Sequence, residues 1–239
     1  MLQHRGKVRV PQKRVCPRLT AKRSNQVYSW DITYLPTNIK GKFYYLYLFI
    51  DIYSRYIVGW HIDEYQDNQI AAKVFKNICL ESSISPHQLT LHADNGGPMK
   101  GATMLATMQT LGVVKSFSRP ATSNDNPFSE SLFKTVKYCP AYPRKPFQSI
   151  DHCETWMVSF TAWYNKEHRH SGIKFVTPYQ RHHGLDTEIL LKRQYLYEAA
   201  KLKNPNRWSG ASRCWEPIKE VHINPIHDSG DDKIKRQLC

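Results

Sequence analysis

Three carboxylates occupy places where an acid is costly to bury. Asp31 lies in the middle of "VYSWDITYLP", on the polar side of an otherwise aromatic alternation. Asp94 ends the apolar run "LTLHAD", just before Asn95, Gly96 and Gly97. Glu130 is the one acid in "SESLFKTVKY". A carboxylate within or at the end of a buried strand needs a compensating charge or hydrogen bond. Hard divalent cations such as Mg2+ take oxygen ligands of this kind. Two such ions about 3.5–4 Å apart can activate a nucleophile and stabilise the leaving oxygen of a phosphoryl transfer. Other acids compete for that role: Asp51 also ends a strand-like run, and Asp63 and Glu64 stand near the end of another. On a helical wheel of about 100° per residue, Lys134 and Lys137 fall within roughly 40° of Glu130. Phe128, Leu132, Val136 and Cys139 gather on the opposite side. Taken alone, that polar face reads first as a solvated one with an i,i+4 Glu–Lys pair, and a catalytic acid flanked by bases is the alternative.

The elements that must position these residues are legible from periodicity. "VYSWDITYLP" alternates as a strand does, with Tyr28, Trp30, Ile32 and Tyr34 on one side and Ser29, Asp31 and Thr33 on the other. Two further strands, about 42–51 and 55–63, flank the turn-like "DIYSR" and complete an antiparallel meander. "DNQIAAKVFKNICLES" reads as a helix, "LTLHAD" as a short buried strand, and "KGATMLATMQTLG" as a helix closing on Gly112. "VVKSFS" is another strand, and "RPATSNDNP" is a loop by composition, read as mobile or, equally, as a plain surface loop. A helix opens near Pro127, where proline suits the first turn, and a long helix follows across "SIDHCETWMVSFTAWYNKEH". A meander followed by alternating strands and helices predicts an α/β fold: a mixed five-stranded sheet flanked by helices. The turn after Asp94 is expected to use glycines for positive φ and close backbone approach. Three regions follow: a basic arm at 1–26 expected to be disordered, a core at 27–185, and a C-terminal helix with a small β-like appendage and a disordered tail at 186–239.

Composition narrows the partner. The 239 residues carry 34 Lys and Arg against 20 Asp and Glu, a formal net charge of +14, which points to a polyanion. Residues 1–26 hold Arg5, Lys7, Arg9, Lys13, Arg14, Arg18, Lys22 and Arg23 and no acid, which suits a nucleic-acid backbone and salt-dependent binding. No apolar run approaches the ~20 residues of a membrane span. No secretory signal is visible, and the six cysteines form no Cys-x-x-Cys pair, so they read as reduced thiols of an intracellular protein. His168, His170, His182 and His183 lack paired cysteines at finger spacing, so zinc is not expected.

Taken in order, "SWDITYLP", "LFIDIYSRYIVGW", "LHADNGGPMKG", "SFSRPATSNDNPFSESLFKTVKY" and "WYNKEHRHSGIKFVTP" resemble the catalytic half of bacterial insertion-sequence transposases. These are similar to retroviral integrases and share a ribonuclease-H-like core. The family's Asp–Asp–Glu triad has 35 residues between the second Asp and the Glu, the number that separates Asp94 from Glu130 here. Asp31 precedes Asp94 with 62 residues between, and Lys137 stands seven positions after Glu130, where the family carries a base. The resemblance covers roughly residues 24–226.

It implies a DNA transposase catalytic subunit, encoded as a second reading frame, that cleaves an element end and transfers the strand. Asp31, Asp94 and Glu130 would be catalytic and would hold two divalent cations, Mg2+ or alternatively Mn2+. Lys137, Lys134, Arg119, Asn126 and His170 would meet DNA, with core packing an equal alternative for the segment around Tyr164, Asn165, His168, His170 and Ser171. The implied partners are element ends and target DNA, further copies of the chain on that DNA, and an upstream-frame DNA-binding subunit, with no membrane. The implied location is the cytoplasm of a bacterium, at the nucleoid. Two alternatives stay open: a metal-dependent nuclease on the same fold, and a truncated or non-catalytic DNA-binding derivative.

Overall fold

The computed structural model describes residues 15–120 and 122–225. A five-stranded sheet is built from β2 (Val27–Pro36), β3 (Phe43–Asp51), β4 (Ile57–Asp63), β5 (Thr90–Ala93) and β6 (Val114–Phe117). Their order across the sheet is β4-β3-β2-β5-β6. β2, β3 and β4 form the expected antiparallel meander, and β5 and β6 add in parallel to β2 and to each other. The parallel additions need crossovers. These are α1 (Asn68–Glu81) between β4 and β5, and α2 (Gly97–Lys100) with α3 (Ala102–Thr110) between β5 and β6.

The sheet is covered on both faces. Tyr28, Trp30 and Ile32 of β2 pack with Tyr47 and Phe49 against Ala71, Phe75 and Ile78 of α1 and Met104 and Met108 of α3. On the other face Leu46, Leu48 and Ile50 meet α4 (Pro127–Tyr138) through Leu132 and Val136, and α5 (Ile150–Lys166) through Met157, Phe160 and Tyr164. The apolar stripe expected on α4 is therefore the face that docks. α5 starts at Ser149, whose hydroxyl accepts the His152 N–H at 3.1 Å.

Two expectations about the chain's ends are corrected. The basic arm was expected to be disordered through residue 26, yet Leu19–Ala21 form a strand, β1, and Ala21 is fully buried. Residues 1–14 lie outside the described residues. The partner of β1 is β7 (Val221–Ile223), paired antiparallel with Leu19 opposite Ile223. The tail expected to be disordered, the last dozen residues, also lies outside the described residues. The β-like unit read across 206–225 contributes only this three-residue strand, which pairs with the N-terminal segment and not with itself. Ala21, Val27, Ile52, Val221 and Ile223 bury one another in a small cluster that joins both ends of the described chain to the core.

The division placed after residue 185 crosses a buried ion pair. Arg181 of α6 (Pro178–His182) donates to Asp186 Oδ2 at 3.0 Å, to Tyr53 O at 2.8 Å and to Ile218 O at 2.6 Å. Asp186 opens α7 (Asp186–Lys203), whose Leu190 packs with Ile173, Val176 and Trp215. Most of α7 is exposed, as its charge pattern predicts. Among the described residues no helix is long and apolar enough to cross a membrane.

Candidate active site

The register of β2 and β5 brings two of the three acids together. Trp30 pairs with Ala93 in the parallel ladder. One residue further along both chains come Asp31 and Asp94, on strands about 4.8 Å apart and directed to the same side. That side is the one covered by α4. Ser29, two residues before Asp31 and on the same face, pairs its hydroxyl with that of Ser129 at 2.7 Å. It also donates to the Asn126 side-chain carbonyl, and the Asn126 amide donates to Trp30 O at 3.3 Å. These bonds bolt the first turn of α4 to β2, and Glu130 follows Ser129 on that turn. A carboxylate there also lies favourably in the helix macrodipole.

Electrostatics reports the same gathering. Burial pushes the Asp31 carboxyl up to about 7. The Ile32 N–H accepted by Asp31 Oδ1 at 2.8 Å pulls the other way, and the negative charges of Asp94 and Glu130 add to the rise. Asp94 accepts the Ser118 hydroxyl on Oδ1 at 2.7 Å. Each aspartate thus has one oxygen engaged locally and one left over. Among the described residues Glu130 makes no ion pair. The three are converging acids and not a closed cage: among the described residues, no three His, Cys, Asp or Glu side chains stand close enough to hold an ion as oriented. The donor chemistry, all carboxylate oxygen from two strands and a helix, fits a hard divalent cation that would draw them in. With no cysteine or histidine in the set, it does not fit zinc at a structural site.

The remaining expected residues divide. Lys134 and Lys137 are exposed on the same side of α4 as Glu130, and partial burial lowers the Lys137 ammonium somewhat. Arg119, partly exposed, pairs with the buried Asp125: its N–H and Nε reach Oδ2 at 2.8 and 2.9 Å and its Nη2 reaches Oδ1 at 3.0 Å. The Arg119 hydrogen bonds hold the Asp125 carboxyl below the usual range. Asn126 is fully buried, and its amide is spent on Ser29 and Trp30, so it braces α4 where a DNA contact was expected. The loop read as mobile is pinned at both of those residues. His170 is half-buried and caps a short turn, its Nδ1 accepting the Gly172 N–H at 3.0 Å. Asn165 belongs to the packing alternative: its amide takes the Ile57 N–H at 2.9 Å and gives to the Ile57 carbonyl at 3.1 Å, serving edge strand β4 as a substitute partner. The glycines after Asp94 do not adopt positive φ; Gly96 sits at −64°, and a Cβ there would come 2.8 Å from Met99 Sδ. That neighbour is the end of a side chain, and Gly97 has open space around it, so the turn shows no close backbone approach at these glycines.

The sequence reading missed the residues beneath the acids. His92 is fully buried, its Nε2 at 2.8 Å from Asp125 O and its Nδ1 at 3.0 Å from Ser116 Oγ. Ser29, Ser118, Asp125 and Ser129 are buried with it. A signal was present: His92 is a polar residue inside an apolar run, two places before Asp94 and so on the same face.

Two models described as integrase core domain match the chain, one over residues 21–123 and the other over residues 111–178. A transposase for insertion sequence element IS904 from Lactococcus lactis is 29% identical over 161 residues, which cover 64% of this chain and 60% of that protein. Transposase InsF for insertion sequence IS3A from Escherichia coli is 31% identical over 113 residues, 47% of this chain and 38% of that protein. The chain therefore spans less than two thirds of the length of these relatives. In fold it is similar to a simian T-cell lymphotropic virus intasome chain, with a TM-score of 0.57 at 15% identity over 72% of this chain and 60% of that one. It is also similar to the HTLV-2 integrase catalytic core domain, with a TM-score of 0.50 at 14% identity over 67% of this chain and 97% of that one. The mixed sheet with helices on both faces is the ribonuclease-H-like arrangement of those cores. Through residues 21–178 the chain belongs to the integrase core family.

Proposed function

We propose that this chain is the catalytic part of an insertion-sequence transposase, which cleaves a DNA strand at an element end and joins the exposed 3′-hydroxyl to target DNA. The observation that carries the reading is the convergence of Asp31, Asp94 and Glu130 within an integrase core, by the β2–β5 register and the bolting of α4 to Ser29. In this reading the three acids are the ligands of two divalent cations, Mg2+ or Mn2+; the HTLV-2 core similar in fold was solved with magnesium. Bound there, such ions would activate the attacking hydroxyl and stabilise the leaving oxygen.

The chain's own residues would do the rest. Asp31 and Asp94 present their remaining oxygens from neighbouring strands, and Glu130 closes from the helix. Lys134 and Lys137, on the same exposed side of α4, would hold the phosphates flanking the scissile bond as point charges. The +14 charge would supply non-specific affinity for the backbone. Element ends and target DNA are the proposed substrates. Self-association on DNA and an upstream-frame subunit that reads the ends are the proposed partners.

Nicking of supercoiled plasmid with Mn2+ tests the site without knowledge of the element ends. The parent is expected to nick, and Glu130→Gln to lose activity by at least about 100-fold, the scale on which removing a group that acts on transition-state charge is felt. Equal nicking by both proteins would refute the assignment of Glu130.

A further inference from the structure

We propose that Ser118 is a positioning residue for Asp94, its hydroxyl fixing the carboxylate so that Oδ2 faces the cation; the inference rests on the cation site proposed above. Ser118 follows the last residue of β6 and is buried. Its N–H bonds Ala93 O at 2.9 Å, and the Asn95 amide donates to its carbonyl. Its backbone is therefore tied to the residues on either side of Asp94. Its Oγ then donates to Asp94 Oδ1 at 2.7 Å, in the short range of a charge-assisted hydrogen bond. A carboxylate at a strand end has free χ torsions, and this bond removes them before any ion arrives.

The support is itself held. Arg119, the next residue, gives its N–H and its guanidinium to Asp125. The Asp125 carbonyl accepts His92 Nε2–H, which fixes the tautomer and leaves Nδ1 to accept from Ser116. His92 lies two residues before Asp94 on β5, and Asp125 lies two before Pro127, where α4 begins. Hence the node that holds Ser118 in place also links the strand bearing Asp94 to the helix bearing Glu130. Ser118 fits a partner that orients a metal-binding group, a class whose loss typically costs 10–100-fold in metal affinity.

The test is Mn2+ binding, followed by the paramagnetic resonance of free Mn2+, for the parent, Asp94→Asn, Ser118→Thr and Ser118→Val. Thr and Val have nearly the same shape, and only Thr retains the hydroxyl. Ser118→Val is expected to weaken binding about tenfold or more while Ser118→Thr binds as the parent does. In the nicking assay Ser118→Val should need correspondingly more Mn2+, with its rate at saturating metal near the parent's. If Val and Thr variants bind alike, whether tightly or weakly, the hydroxyl has no positioning role and the inference falls. If the parent binds no Mn2+ that Asp94→Asn abolishes, the cation site itself is wrong and the inference falls with it.

Discussion

At the scale of single residues, half-buried His170 caps a short turn, and its protonation should be felt in stability. Burial first, then the Arg55 cation and His168, hold the His170 imidazole down at about 4, against an ordinary 6.5. A folded-state value below the unfolded one means that the unfolded chain binds the proton more readily. The contribution of His170 is thus complete above about pH 6.5 and is lost as the pH falls toward 4, at up to about 1.4 kcal/mol per pH unit. His170→Asn, which keeps an acceptor for the Gly172 N–H, should flatten the stability–pH slope in urea melts between pH 7 and 4.5. A slope identical to the parent's would show that the ring is not the source. The same scale explains why side-chain roles were harder to read than side-chain identities. Asn126 and Arg119 stand in a polar loop beside the acids, where a sequence suggests ligand contact. Only the three-dimensional partners show that Asn126 is buried against Ser29 and Trp30 and that Arg119, still partly exposed, is paired with Asp125.

At the scale of elements, close approach matters more than any one contact. β4 lies so near α1 that a Cβ on Gly59 would collide with Ile78 Cγ1. Gly59→Ala should therefore cost about 1–3 kcal/mol through overpacking, and Ile78→Ala alone about 2–5 kcal/mol through a cavity. Because the added methyl occupies part of that cavity, the double variant should cost less than the sum in chemical denaturation; strict additivity would place the crowding elsewhere. Elements with strong periodicity were legible in advance. The five strands, α1, α3, α4 and α5 follow from alternation, helical spacing and proline or glycine punctuation. The docking face of α4 followed from Leu132 and Val136, both buried as the wheel required. The spacing expected of a triad was legible in the 35 residues between Asp94 and Glu130, whereas the residues packed beneath those acids were not. His92, Ser118 and Asp125 come from three separate segments, and no local pattern says that they meet. β1 and β7 were missed for a related reason. Three residues are too few to show a period, and their partners lie about 200 positions apart.

At the scale of the whole molecule, the two described ends are fastened at one place. Asn224 donates to Asp125 Oδ1 at 3.2 Å and to Pro17 O at 2.9 Å, and the Cys16 thiol also reaches Asp125 at 3.7 Å. The route from either end to the loop that precedes α4 is therefore one side chain long. This has a mechanical meaning. Leu19 lies opposite Ile223 and Ala21 opposite Val221, so the chain leaves both strands from the same edge of the pair. Tension applied between residues 15 and 225 would load its hydrogen bonds one after another, as in a zipper, instead of sharing the load among them. With handles at those positions in an optical trap, a small extension from β1 and β7 parting should precede the rupture of the five-stranded sheet. A single rupture event would show that the ends and the sheet yield together. Once the zipper opens, Asp125 loses Asn224, so a pull on either terminus is transmitted to the clamp ahead of the helix that carries Glu130.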